Sequence, residues 1–119
     1  MKFNDGTDKI IGLFFEVHNV LGCGFLEKVY ESALAIEFEG NGIDFVRQAP
    51  LNVLYNGEIV GEYFADFIVG DVVVEIKSKC SLDAVDDAQL INYLKASGKK
   101  VGLLVNFGRE KVEFKRRVF

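Results

Sequence analysis

Residues 65–77, Ala-Asp-Phe-Ile-Val-Gly-Asp-Val-Val-Val-Glu-Ile-Lys, carry two carboxylates and a lysine at a spacing that can do chemistry. Gly70-Asp71 reads as a two-residue turn. That turn sets Val69 opposite Val72, Phe67 opposite Val74 and Asp66 opposite Glu75. Opposed residues point to one side of the sheet with Cβ atoms roughly 4.5–5.5 Å apart, so two carboxylates stand side by side. The strand period of two adds Lys77 to the face of Glu75 and turns Val74 and Ile76 the other way, into a core. Like charges in this position destabilise a hairpin unless something positive lies between them, and an acid pair on a Val/Ile strand is costly to bury without partners. Two arrangements resolve the conflict. Either the face is open to solvent and Lys77 neutralises the pair, or Asp66 and Glu75 hold a hard divalent cation such as Mg²⁺, which takes oxygen ligands and keeps several waters. In the second case Lys77 would stabilise a metal-activated water or the charge developing on a phosphorane.

Two further pairs lie on helical segments. Glu27 and Tyr30, in Gly24-Phe-Leu-Glu-Lys-Val-Tyr30, are one turn apart on one face. Gln89 and Tyr93 stand at i and i+4 in Gln89-Leu-Ile-Asn-Tyr93. Each has an ordinary alternative: Tyr30 and Tyr93 as half-buried core edges, and Glu27 as an exposed acid near a positive helix N-terminus.

The elements that must position these residues follow from hydrophobic period and turn chemistry. Ile10, Ile11, Phe14, Phe15, Val17, Val20 and Leu21 recur at helical spacing, predicting a helix over 8–21 with Thr7 or Asp8 as its cap. Gly22-Cys23-Gly24 breaks it. A second helix is predicted over 25–39, closed by Gly40-Asn41-Gly42. The period then changes to two. Residues 43–55 contain an extended run edged at Pro50, Asn56-Gly57 is a hairpin turn, and 58–69 and 72–77 are strands. Ser81 or Asp83 caps a helix that runs to about Ala96 and is closed by Gly98. Residues 101–105 form an apolar run suited to a strand buried on both faces. Residues 111–118 form an edge strand. The order α-α-β-β-β-α-β-β, with a right-handed crossover through the third helix, predicts one α/β domain over residues 1–119 with a mixed β-sheet flanked by helices.

Composition narrows the function classes. The chain has 119 residues, 50% of them hydrophobic and 27% charged, which fits one soluble globular domain and excludes disorder. No apolar run reaches the roughly 18 residues of a membrane span. Residues 1–6 contain no apolar stretch of the kind a secretion signal needs, so the cytoplasm is the expected compartment. Cys23 and Cys80 are the only cysteines and His18 the only histidine, so neither a cysteine/histidine zinc site nor a structural disulfide is expected. The net charge of −4 is uneven. Residues 1–94 hold 16 acids and 6 bases, whereas residues 95–119 hold 8 bases and 2 acids, including Arg116 and Arg117. The basic quarter permits a polyanion partner without demanding one; a solvated polar surface is the plain alternative.

Taken in order, Gly24-x-x-Glu27-x-x-Tyr30, Asp66, Glu75-x-Lys77 and Gln89-x-x-x-Tyr93 resemble the GxxExxY family, a branch of the PD-(D/E)xK nuclease-like superfamily. The resemblance spans about residues 10–117 and includes the Asn56-Gly57 hairpin and the Gly102–Gly108 strand and turn. The chain departs from the usual pattern at Cys23, where proline is common, and at Ala65, where a basic residue is frequent. The resemblance implies a restriction-endonuclease-like core and a Mg²⁺- or Mn²⁺-dependent nuclease acting on DNA, or RNA. Asp66 and Glu75 would be its metal carboxylates and the Ile76 backbone carbonyl a further ligand. Lys77 would assist the nucleophilic water. Glu27 would be a third carboxylate, as an outer metal ligand or as a base for the water. Tyr30, Gln89 and Tyr93 would position substrate. Because superfamily members exist that have lost catalysis, a nuclease-fold module that only binds nucleic acid or a protein is the alternative. So small a chain leaves little room for a specificity domain, so a protein partner or a second copy of the chain would supply target choice, and an exposed edge strand invites such pairing.

Overall fold

The computed structural model describes residues 5–119; Met1–Asn4, part of the segment read as lacking a secretion signal, lie outside the described residues. The elements are α1 (Thr7–Leu21), α2 (Glu27–Gly40), β1 (Val46–Tyr55), β2 (Glu58–Val69), β3 (Val72–Lys77), α3 (Ala84–Ser97), β4 (Val101–Asn106) and β5 (Glu113–Val118). This is the order read from the sequence. The strands form one five-stranded sheet in the order β1-β2-β3-β4-β5, antiparallel throughout except for the parallel β3–β4 pair, which α3 connects. No helix of the described residues is long and apolar enough to cross a membrane.

Local chemistry sets most boundaries. Asn56 and Gly57 both take positive φ, 51° and 80°, the pair of values a type I′ hairpin turn requires. Asp83 caps α3 by accepting from Val85 N and Asp86 N, and the Asp86 side chain accepts in return from Asp83 N. At α1 the cap differs from expectation. The boundary residue is Gly6 in a left-handed conformation, and Asp5 Oδ1 accepts from both the backbone and the hydroxyl of Thr7, doing the work assigned to Thr7 or Asp8. Helix α2 starts at Glu27 rather than Phe25, because the Phe25 amide is already bonded to the Tyr30 hydroxyl.

The sheet separates two cores. Helices α1 and α2 close one, around Phe14, Tyr30, Phe38, Phe67, Val74 and Phe107; α3 closes the other, around Leu51, Ala65, Val73, Leu90 and Leu104. Strand β4 is buried along its whole length, as its apolar run requires. Three of the eight bases in the C-terminal quarter pair with acids from the rest of the chain. Arg116 pairs with Asp5, Arg117 with Asp87 at 2.7 Å, and Lys99 with Asp71 at 3.6 Å. These pairs tie β5 and the α3–β4 connection to acidic residues of the N-terminal three quarters.

The turn after β4 is packed without slack. Buried Asn106 accepts from Lys79 N and Gly108 N and donates to Lys79 O and Glu113 Oε1. A Cβ on Gly108 would lie 2.3 Å from Lys79 backbone atoms, and one on Gly102 would lie 2.8 Å from the Leu90 side chain. Backbone cannot yield as a leucine rotamer can. Gly108→Ala should therefore cost about 1–3 kcal/mol of stability and clearly more than Gly102→Ala in urea unfolding; equal losses would show that the Lys79 segment gives way freely.

Candidate active site

Strands β2 and β3 run as a hairpin only for a short distance. Their pairing ends at Phe67–Val74, after which β2 continues against β1, and β3 stays with β4 as far as Lys77–Asn106. Asp66, Glu75, Ile76 and Lys77 sit where the two strands part. The expected partners Val69–Val72 and Phe67–Val74 are present, but the next rung, Asp66–Glu75, is not a ladder pair. Side chains replace it: Asp66 N donates to Glu75 Oε1 at 2.9 Å, and Ile76 N donates to Asp66 Oδ2 at 2.7 Å. Each carboxylate is thus fixed by one oxygen on the other strand. The strand also turns over here, since Ala65 packs in the α3-side core and Phe67, two residues on, in the α1/α2-side core.

Lys77 lies beside the pair, with its Nζ 3.1 Å from Gln89 Oε1 and 3.9 Å from Asp86 Oδ1. Gln89 is therefore the residue that aims Lys77. Tyr93, one turn further along α3, stacks at an angle on Tyr63 with ring centroids 5.6 Å apart. Its hydroxyl is pushed up to about 12 by burial and by the negative charges of Glu75, Asp66 and Tyr63, so it keeps its proton and remains a donor.

Glu27 is exposed at the first turn of α2, near enough that its charge raises both Asp66 and Glu75. Among the described residues, no group of three or more His, Cys, Asp or Glu side chains is close enough to hold a metal ion, so Glu27 stands off from the carboxylate pair. Tyr30 lies in the core at the start of α2. It is fully buried, stacked on Phe107 with centroids 4.5 Å apart, and its hydroxyl donates to Gly22 O and accepts from Phe25 N. It anchors the loop that leads into Glu27. Cys23 and Cys80 are free thiols, as expected.

Four residues that the sequence did not single out lie at or beside the site. Gln48 Nε2 donates to Glu31 Oε1 at 2.7 Å and to Asp66 Oδ1 at 3.3 Å, while Arg47 Nε donates to Glu31 Oε2 at 2.5 Å. Glu31 lies one turn after Glu27, and that helical spacing was the one signal that could have found it. Gln48 has φ 51° inside a strand, a left-handed conformation that costs a residue with a Cβ about 1–2 kcal/mol. Nothing in its residue type announces this. Asp86, the capping-box partner, is buried and takes Lys79 Nζ at 2.8 Å.

The pair carries an electrostatic cost. Glu75 is pushed up to about 8, first by burial and then by Asp66, and Asp66 is raised by burial and by the charges of Glu31 and Glu27. The donor set nevertheless suits a small hard cation. Asp66 accepts on both of its oxygens, Glu75 accepts on Oε1, and among the described residues Glu75 Oε2 receives no hydrogen bond. One or two carboxylates completed by water are what Mg²⁺ takes.

In the metal-free protein the native state holds the Glu75 proton between about pH 4.5 and pH 8 while the unfolded chain has lost it, so stability falls as pH rises through that window. Glu75→Gln removes this slope. It should exceed the wild type by on the order of a few kcal/mol at pH 8 in urea unfolding with chelator present, the difference vanishing near pH 4. A wild-type stability that stays level from pH 5 to pH 8 would contradict this account.

Comparisons with known proteins bear on the fold and the family. A solved protein, the crystal structure of SSO0001, aligns with a TM-score of 0.54 and 18% identity over 76% of this chain and 48% of that one. At that identity the likeness shows a common fold, and this chain spans about half the length of that protein. No curated protein matches the chain. A family model described as the PD-(D/E)XK nuclease superfamily matches residues 4–117, which takes in every element of the fold and the whole carboxylate fork. The chain belongs to the PD-(D/E)XK nuclease superfamily.

Proposed function

We propose that this chain is a divalent-metal-dependent phosphodiesterase acting on nucleic acid, in the GxxExxY branch of its superfamily. The observation that carries the reading is the fork: Asp66 and Glu75 face one another across parted strands with Lys77 beside them. Asp66, Glu75 and the Ile76 backbone carbonyl would hold Mg²⁺ or Mn²⁺, with Glu27 reaching the ion through water. The ion, when bound, would acidify a coordinated water and offset charge on the scissile phosphate.

The chain's own residues then have separable tasks. Lys77, held by Gln89 and by the charge of Asp86, presents an ammonium to the attacking water or to a phosphate oxygen. It acts as a donor and a charge. Glu27, exposed at the first turn of α2, would serve as the base for the water. Tyr93 donates from a hydroxyl that does not ionise near neutral pH. Beyond Tyr93 a groove of about 490 Å³ runs under the β1–β2 hairpin arm, lined by Asn52, Tyr63, Asn92 and Lys95. An exposed aromatic ring, carboxamides and a lysine suit a nucleic-acid strand, whose bases stack and whose phosphates are anionic. The intact acid pair disfavours a purely binding module, since carboxylates repel phosphate unless a cation lies between them.

Calorimetric titration of Mn²⁺ should show binding to the wild type and none to Asp66→Ala. Glu75→Ala should lose both Mn²⁺ binding and at least 10³-fold in cleavage of single- and double-stranded oligonucleotides, roughly the scale of removing a principal electrostatic group. Full cleavage by folded Glu75→Ala would end the assignment.

A further inference from the structure

Gln48 is the most irregular residue of the sheet. Strand β1 keeps one register against β2 from Val46 to Val53, and the sole missing rung in that stretch is Gln48, which the register sets opposite Asp66. At that rung the backbone of Gln48 turns left-handed, φ 51°, and its side chain reaches Asp66 in place of a ladder bond. A strained conformation of this kind persists where surrounding structure over-determines it, and such positions gather at functional sites.

The chemistry of the contact narrows the role. The Gln48 NH₂ has two protons and gives one to Glu31 Oε1 and one to Asp66 Oδ1. Glu31 is itself pinned by Arg47, whose Nη2 also donates to Ser32 Oγ at 2.9 Å. The chain Arg47–Glu31–Gln48–Asp66 thus fixes the second oxygen of Asp66, Ile76 N having fixed the first. The final donor is neutral. A lysine or arginine at the Asp66 rung would hold the carboxylate equally well but would put a positive charge where a divalent cation must sit; the one cation of this chain is kept on the far side of Glu31.

We propose that Gln48 is a positioning residue for a divalent-cation site at Asp66: its left-handed backbone exists to deliver an uncharged two-proton donor that orients the Asp66 carboxylate without competing with the ion. This rests on the carboxylate reading given above. Donors that orient metal ligands typically matter 10- to 100-fold to affinity.

Two variants test it. Gln48→Gly accepts φ 51° without penalty and has no side chain. Gln48→Asn tolerates that conformation and keeps a carboxamide one methylene too short to span Glu31 and Asp66. Both should stay folded and bind Mn²⁺ 10- to 100-fold more weakly than wild type by calorimetry in the absence of substrate. Leu51→Ala, which removes a core side chain from the same strand, should lower the melting temperature and leave Mn²⁺ affinity unchanged. Wild-type affinity in both Gln48 variants, alongside loss of binding in Asp66→Ala, overturns this proposal and leaves the carboxylate reading standing. Weakening by Leu51→Ala equal to that of the Gln48 variants overturns it as well, because strand stability would then account for the effect. A wild type that binds no Mn²⁺, or binds it as Asp66→Ala does, overturns both.

Discussion

Where β2 leaves β3, the backbone N–H groups of Asp66 and Ile76 donate to the side chains of Glu75 and Asp66. Unmet backbone donors at a buried position are expensive, and a carboxylate acceptor is the strongest replacement available. The exchange is reciprocal, since each acid reaches across to the other strand. Each side chain therefore helps to hold the fork, and the fork in turn orients each side chain. Fold and site share one set of bonds. The rest of the domain keeps that junction rigid: β4 holds β3 in place to Lys77, and the Asn106 and Gly108 turn clamps the segment that follows.

The charge layout around the junction is uneven in an informative way. Every cation near the acid pair is restrained by something else. Lys77 is drawn toward Gln89 and Asp86, Lys79 is taken by Asp83 and Asp86, and Arg47 is spent on Glu31. Were stability the only constraint, a lysine between Asp66 and Glu75 would remove the repulsion and lower the protonation of Glu75. The chain instead leaves the repulsion in place and surrounds it with neutral or displaced donors. In the proposed function, this uncompensated repulsion is what a bound cation would relieve.

How much of this is legible in the sequence depends on how local each signal is. The Gly70-Asp71 turn and the alternation of Val72–Lys77 carry the placement of Asp66, Glu75 and Lys77, because a tight turn and a period of two leave one register. Asp83 as a cap and Asn56-Gly57 as a turn are likewise short-range and were readable. What failed to show depends on contacts distant along the chain. Glu31 and Gln48 are 17 residues apart, and glutamine is no residue to signal a left-handed turn. The spacing of Tyr30 to Glu27 was readable, but its stacking on Phe107, 77 positions later, was not. The full Asp66–Glu75 rung was expected because alternation was extended past the point where the strand turns over, and no residue type marks that point.

The reading of the basic C-terminal quarter bears on how such a domain meets a polyanion. Clustering in sequence suggested a positive face, but Arg116 and Arg117 are consumed by Asp5 and Asp87, and the chain as a whole is anionic. Long-range attraction of a nucleic acid therefore cannot come from net charge, and the acids of the fork work against it. Favourable contacts are left to short-range features: the ammonium of Lys77, the lysine and carboxamides of the groove beneath the hairpin arm, and the exposed face of Tyr63. In the proposed function, the divalent ion then has two electrostatic duties at one place. It reverses the local sign so that a phosphate can approach the acid pair, and it polarises that phosphate once there. A domain arranged in this way would couple substrate affinity to metal occupancy, because the group that recruits the phosphate and the group that activates it are the same ion.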